Sequence, residues 1–216
     1  MEEGPENMIR NIIWDLDGTL FDTYPAILRA FRLALEDNGI TISEERVRNQ
    51  AQKSLTRFTE ELVRKFGIDP NYLQERYLAY CSEYPLAEQK LFPGAREVCE
   101  YICSMGGINV IVTHRPWSSA KKLLRTYRMS EYFTFLLTVE QGYPLKPDPA
   151  MFEKVIENFE LNREETLAVG DRDLDILAGK AAGLTTCLYN GKDYESEPDL
   201  VIDDYSQLLD FLKDEK

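Results

Sequence analysis

Six short, mostly apolar runs that each end abruptly in polar or turn residues constrain this chain more than any other feature. They cover residues 8–14, 108–112, 133–139, 167–169, 184–188 and 200–202. Apolar runs of this length without polar alternation read as strands buried on both faces. Helical patterns separate them. One opens at Pro93-Gly94 and reaches about Ser104, and another covers 117–128. A third is capped by Asp148, carries Pro149 in its first turn and extends to about Phe159. A fourth spans 174–182 and stops at Gly183. Alternation of this kind predicts an α/β fold, a Rossmann-like parallel sheet with helices on both faces.

Residues 23–88 interrupt the alternation. Helices are expected over 24–38, 43–52, 54–66 and 70–83, punctuated by Gly39, Gly67 and Asp69-Pro70, with no strand among them. The expected organisation is a catalytic core of residues 1–22 and 89–216 with an all-helical cap domain, 23–88, inserted after the first strand.

Of 216 residues, 44% are hydrophobic, enough to bury a core. The net charge of −13 repels polyanions and argues against nucleic acid or an anionic membrane as partner. It leaves room for a small anionic substrate in a locally positive cleft. The acidic start, residues 1–7, lacks the basic and apolar regions of a secretion signal, and no apolar run is long enough for a membrane span. Cys81, Cys99, Cys103 and Cys187 form no CxxC pair and read as reduced core residues, so the expected compartment is the cytoplasm.

The first strand runs into Asp15-Leu16-Asp17-Gly18-Thr19-Leu20. Two carboxylates one residue apart, just past a strand, can both face the crevice where open α/β folds bind ligands. Gly18 permits a sharp turn and a close approach of backbone amide to anion. A polar turn that merely caps a helix would explain that stretch taken alone. Three further placements argue otherwise. Thr113 closes the second strand with a hydroxyl, and Lys146 precedes Pro147-Asp148-Pro149 at the head of a helix. Gly170-Asp171-Arg172-Asp173-Leu174-Asp175 closes another strand with more carboxylates.

With those residues in place, the chain resembles the haloacid dehalogenase superfamily, in its phosphatase branch with a helical cap inserted after the first motif. The likeness runs from Met8 to about Asp204. Ile12-Ile13-Trp14-Asp15-Leu16-Asp17-Gly18-Thr19-Leu20 carries the first motif, Thr113 the second, Lys146 the third, and Gly170-Asp171 with Asp175 the fourth. Leu91-Phe92-Pro93-Gly94-Ala95 resembles the segment that re-enters the core.

The resemblance implies an Mg²⁺-dependent phosphatase that hydrolyses a small phosphorylated metabolite through an aspartyl-phosphate. Asp15 would be the nucleophile and Asp17 the general acid and base. The ion would be held by the Asp15 carboxylate, the Asp17 main-chain carbonyl, Asp171 and waters. Asp175 would support it through water or hold Lys146. Thr113 and Lys146 would bind phosphoryl oxygens, joined by main-chain amides around Leu16, Gly18 and His114. An aspartate at position 17 favours oxygen leaving groups over dehalogenation.

Several positions stay open at this stage. His114, the single histidine, and Arg115 depart from the family's usual residues; the His114 side chain either reaches the substrate or matters only through its amide. Arg172 either pairs with a neighbouring carboxylate or lines the entrance, Asp173 starts a helix, and Asp22-Thr23-Tyr24-Pro25 caps and hinges the first cap helix. Arg46, Arg48, Lys53, Arg57, Arg64 and Lys65 face four acidic residues, Glu44, Glu45, Glu60 and Glu61. That cluster is either a solvated helix face or a binder of a second substrate anion. Tyr72, Tyr77, Tyr80 and Tyr84 are expected to pack. Two rivals remain: a phosphotransferase such as a sugar-phosphate mutase, and a phosphate-binding regulatory protein without turnover. Substrate identity and oligomeric state are not legible.

Overall fold

Strand β1 (Asn11–Trp14) occupies the middle of the sheet, paired with β2 (Asn109–Val112) on one side and β4 (Thr166–Gly170) on the other. The computed structural model describes residues 8–191 and 194–214, without the side chains at 52 and 53. The acidic segment 1–7 and the Lys53 side chain therefore lie outside the described residues. Adding β3 (Phe133–Leu137), β5 (Thr185–Tyr189) and β6 (Leu200–Ile202) gives a fully parallel sheet in the order β3-β2-β1-β4-β5-β6. The α/β class expected from the alternating pattern is the class observed. The third run leaves the sheet early because the Thr138 N–H and hydroxyl both donate to Gln141 Oε1, at 2.8 and 2.7 Å, curling the chain into a 3₁₀ turn.

The chain divides into two compact units, Met1–Phe21 with Leu91–Lys216, and Asp22–Lys90. The second unit holds helices α1 (Tyr24–Glu36), α2 (Glu44–Phe66) and α3 (Pro70–Glu83). Ser54, with φ −168° and ψ 107°, breaks α2 into the two helical pieces expected from the sequence. Ser43 and Ser54 each accept the N–H three residues on, at 3.4 and 3.3 Å. Leu28, Phe31, Leu35, Val47, Phe58, Leu62 and Leu73 form this unit's own core. Each such burial contributes about 1.5–3 kcal/mol, which outweighs the weak intrinsic stability of single short helices.

Two expectations for this unit are corrected, the cap at Thr23 and the packing of Tyr72. Thr23 stands at the N-cap of α1, yet its hydroxyl makes no capping bond and is buried without a partner among the described residues. Tyr77 meets Phe31 edge-on at 6.2 Å and Tyr80 bonds Asp37 and Arg76, whereas Tyr72 is exposed. Of the basic cluster, Arg48 pairs with Glu44, Arg46 with Glu61, and Lys65 lies over the Phe66 ring.

The first unit packs α4 (Ala95–Ser104), α5 (Trp117–Thr126), α6 (Ala150–Phe159), α7 (Asp173–Ala181) and α8 (Tyr205–Asp214) around the sheet. Helix α6 begins one residue later than expected: Asp148 Oδ1 caps the Ala150 N–H at 2.9 Å, with Pro149 outside the first turn. Helix α8 is not among the helices expected from the sequence, although Asp204 caps it, its Oδ1 accepting the Ser206 N–H at 2.8 Å. Because strand side chains alternate, Ile13 joins Val110, Phe152, Val155 and Ala168 on one face of the sheet. Trp14 points to the opposite face and meets Tyr205 edge-on at 5.7 Å, and Tyr205 stacks on Tyr189 at 4.5 Å. Cys99 and Cys187 are buried, and burial pushes the Cys187 thiol up to about 12. Cys103 is exposed and Cys81 half-buried, so the expectation that all four cysteines are core residues fails for these two; none of the four is in a disulfide.

Asn109 joins four pieces of this unit. It accepts from Trp14 Nε1 at 2.9 Å and donates to the Cys99 and Tyr132 carbonyls at 3.1 and 3.3 Å, fully buried. Asn109→Leu would leave the indole N–H and two carbonyls without this partner. Urea unfolding followed by tryptophan fluorescence should show a loss of about 2–4 kcal/mol.

Candidate active site

The strand order reverses direction between β1 and β4, so the connections on either side diverge and leave a crevice at the carboxyl ends of the strands. Asp15 follows β1 directly and is tied there by its N–H, which donates to Val169 O at 2.8 Å. Thr113 follows β2 and donates its N–H to Leu137 O at 3.0 Å. Asp171 follows β4. Topology alone thus collects three of the polar residues picked out in the sequence along one edge.

The centre is a buried cation among carboxylates. Lys146 Nζ lies 2.6 Å from Asp15 Oδ1 and 2.5 Å from Asp175 Oδ1, and donates to Val112 O at 3.1 Å. The Asp175 approach is an ion-pair contact without hydrogen-bond alignment, since Oδ1 counts no hydrogen-bond partner. Lys146 and both carboxylates are nearly inaccessible to solvent. Burial by itself pulls the ammonium pKa down, but the charges of Asp15 and Asp175 outweigh it and the net shift is upward. The lysine is therefore held charged.

Asp15, Asp171 and Asp175 each place one oxygen within 4.8 Å of the others. Thr19 Oγ1 sits between two of them, 3.3 Å from Asp15 Oδ2 and 3.2 Å from Asp171 Oδ1, and its single proton serves one at a time. Arg172 Nε lies 3.8 Å from both Asp171 Oδ1 and Asp175 Oδ2. Its main-chain N–H donates to Asp175 Oδ2 at 3.2 Å. Asp173 starts α7 and accepts from the N–H groups of Glu195 and Ser196, at 3.1 and 2.8 Å, away from the cluster.

The residues present fit a hard divalent cation. Three carboxylates against the Lys146 and Arg172 charges leave a local balance of −1, and every candidate donor is oxygen. Among the described residues no internal donor occupies the Asp17 carbonyl. An ion would be held by Asp15, Asp171 and that carbonyl, with Asp175 anchoring Lys146.

The three residues after β2 reach outward from it. The Thr113 hydroxyl accepts the Arg115 N–H at 3.1 Å. Arg115 Nη1 donates to Asp17 Oδ1 at 2.5 Å while its Nε donates to Ser119 Oγ at 2.9 Å. His114 Nε2 accepts the Lys146 main-chain N–H at 3.0 Å. Burial, then the positive charges of Lys146 and Arg172, lower the imidazole pKa to about 3. Of the amides expected to meet an anion, those of Leu16 and His114 have no internal acceptor among the described residues, but Gly18 N–H already donates to Phe21 O at 2.8 Å. Gly18 contributes through its turn instead, at φ +86°. Sequence reasoning passed over Thr19 and the Arg115–Asp17 pair. Thr19 was signalled only by its place four residues after Asp15.

A model of the haloacid dehalogenase-like hydrolases matches residues 9–183, so the chain belongs to that family. Phosphoglycolate phosphatase of Haemophilus influenzae is 27% identical over 215 residues, covering 92% of this chain and 96% of that protein. Pyrophosphatase PpaX of Halalkalibacterium halodurans is 28% identical, covering 94% and 97%. The crystal structure of a predicted phosphoglycolate phosphatase from Haemophilus somnus 129pt superposes with a TM-score of 0.81 at 25% identity, covering 94% of this chain and 97% of that one. Among the described residues no helix is long and apolar enough to cross a membrane.

Two substitutions test this geometry. A Cβ on Gly170 would lie 2.2 Å from Asp175 Cβ, so Gly170→Ala must displace Asp175 from Lys146. Lys146→Met removes the ammonium shared by two buried carboxylates and should cost about 3–5 kcal/mol in chemical denaturation at neutral pH. The depressed His114 pKa has a definite sign: the unfolded chain takes up a proton near its ordinary value of 6.5 while the folded chain does not until about 3. This contribution to stability is full above pH 6.5 and is lost progressively as pH falls toward 3. In His114→Gln that component of the pH dependence of urea stability should vanish.

Proposed function

We propose that the chain is an Mg²⁺-dependent phosphatase that hydrolyses small phosphomonoesters through an aspartyl-phosphate on Asp15. The observation that carries this is the Lys146 ammonium joined to Asp15 and Asp175, with Asp171 beside them. Kinship with phosphatases and a pyrophosphatase supports phosphoryl chemistry over the alternatives in the family.

In this reading one Asp15 oxygen attacks phosphorus, the bond from phosphorus to the leaving oxygen breaks, and Asp17 delivers a proton to that oxygen. Water then attacks the acyl-phosphate phosphorus as Asp17 takes its proton. The bond between phosphorus and Asp15 breaks, restoring the carboxylate and releasing phosphate. Lys146 and Thr113, with the uncommitted amides of Leu16 and His114, hold phosphoryl oxygens. Arg115, on Asp17 Oδ1, leaves proton transfer to the second oxygen. A phosphate dianion would take the local balance from −1 to −3, and each like-charge contact near 4 Å costs about 4 kcal/mol at an effective dielectric of about 20. When bound, Mg²⁺ offsets that repulsion and orients the phosphoryl group.

The helical unit 22–90 we infer to be the cap that selects substrate. Small anions of the kind named for the relatives, phosphoglycolate and diphosphate, are the first to test. Four cysteines outside any disulfide fit a reducing compartment, and we assign the cytoplasm.

Turnover of p-nitrophenyl phosphate, 2-phosphoglycolate and diphosphate should require Mg²⁺, stop with EDTA, and fall at least ~1,000-fold in Asp15→Asn. Phosphate binding without metal-dependent turnover would replace this reading with a non-catalytic one.

A further inference from the structure

We propose that His114 is a positioning residue: its Nε2 holds the main chain of Lys146 and so sets the ammonium between Asp15 and Asp175. The inference rests on the phosphatase reading for its catalytic consequence, but its structural core stands on geometry alone.

Lys146 lies in a turn, outside any strand or helix, where Asp148 N–H donates to Leu145 O at 3.0 Å. Its neighbours Leu145, Pro147 and Asp148 are exposed while Lys146 itself is 4% exposed, so this turn sends a single residue inward. A lysine side chain has many rotamers, and its head group alone cannot determine where its backbone rests. No main-chain acceptor takes the Lys146 N–H among the described residues; His114 Nε2, at 3.0 Å, is its partner. The residue is therefore gripped at both ends: by His114 at the amide, and by Asp15, Asp175 and Val112 O at the ammonium.

The grip demands a particular protonation state. Nε2 accepts only if its lone pair is free, so the proton must sit on Nδ1 and the ring must be neutral. The charged groups around the imidazole are Lys146, Arg172 and Asp175. Two of the three are cations, and with burial they hold the ring neutral over the range in which histidines usually titrate. The same committed lone pair takes Nε2 away from the substrate and leaves only Nδ1–H able to meet it. A glutamine amide oxygen reaches about as far from Cβ as Nε2 does and can accept the same N–H, whereas alanine cannot.

His114 is the sole histidine, so long-range ¹H–¹⁵N correlation spectra of the untagged chain report it without ambiguity. The expected spectrum is the neutral Nδ1–H tautomer, unchanged from about pH 5 to 8. His114→Ala should shift the Lys146 amide resonance and lower kcat roughly 10- to 100-fold with little change in KM. His114→Gln should retain kcat within about 3-fold. An imidazolium or an Nε2–H tautomer at neutral pH overturns the proposal. So does an alanine variant as active as the parent, or a folded glutamine variant as impaired as alanine. If no phosphate ester is turned over, the tautomer and the Lys146 amide shift still decide the positioning role while the enzymatic reading fails separately.

Discussion

The Lys146 ammonium, sealed from solvent between Asp15 and Asp175, is the interaction on which the rest of the site depends. A buried ammonium and two buried carboxylates are each costly to desolvate, and only their mutual proximity offsets that cost. With Asp171 the carboxylates outnumber the two cations Lys146 and Arg172, which gives the cluster an appetite for a further cation. Such an arrangement is a poor way to stabilise a core. Its retention at the mouth of a sheet is what a site for metal and phosphoryl group would require.

The fold delivers this cluster with little dedicated machinery. Reversal of strand order beside β1 opens the crevice, and the residue after each of β1, β2 and β4 falls at its edge. Lys146 alone comes from a loop with no such guarantee, and it has the most elaborate support: a carbonyl, two carboxylates and the His114 ring. Beneath the first motif, the Tyr205 hydroxyl donates to Thr19 O at 2.7 Å, linking the motif to helix α8 and to the aromatic stack with Trp14 and Tyr189. The residues that face the chemistry are thus backed by packed side chains that cannot drift independently.

Much of this was legible in the sequence, for identifiable reasons. Buried strands leave uninterrupted apolar runs, and a parallel sheet follows from their alternation with helices, so the class could be read directly; the edge strands β3 and β6 are only partly buried, against the expectation of burial on both faces. The residues Asp15, Thr113, Lys146 and Asp171 were legible because each follows a strand or precedes a helix, positions with consequences in this topology. Helix α8 was not: it is short and follows β6 almost at once, so the Asp204 and Gln207 that cap it read as part of a terminal polar stretch. Contacts between residues remote in sequence were equally hidden. Nothing in the string Thr113-His114-Arg115 says that one side chain meets the Lys146 main chain while the next meets Asp17. The capture of Gly18 N–H by Phe21 O depends on how tightly the turn closes, which φ at Gly18 decides and composition does not.

The proposed reaction is covalent, with phosphorus passing through the carboxylate of Asp15. Borohydride reduction during turnover converts an aspartyl-phosphate to homoserine, and peptide mass spectrometry locates the change. Homoserine is expected at position 15, appearing only when both Mg²⁺ and a phosphorylated substrate are present. Steady turnover with no reduced residue, or with the label at any other carboxylate, would contradict it.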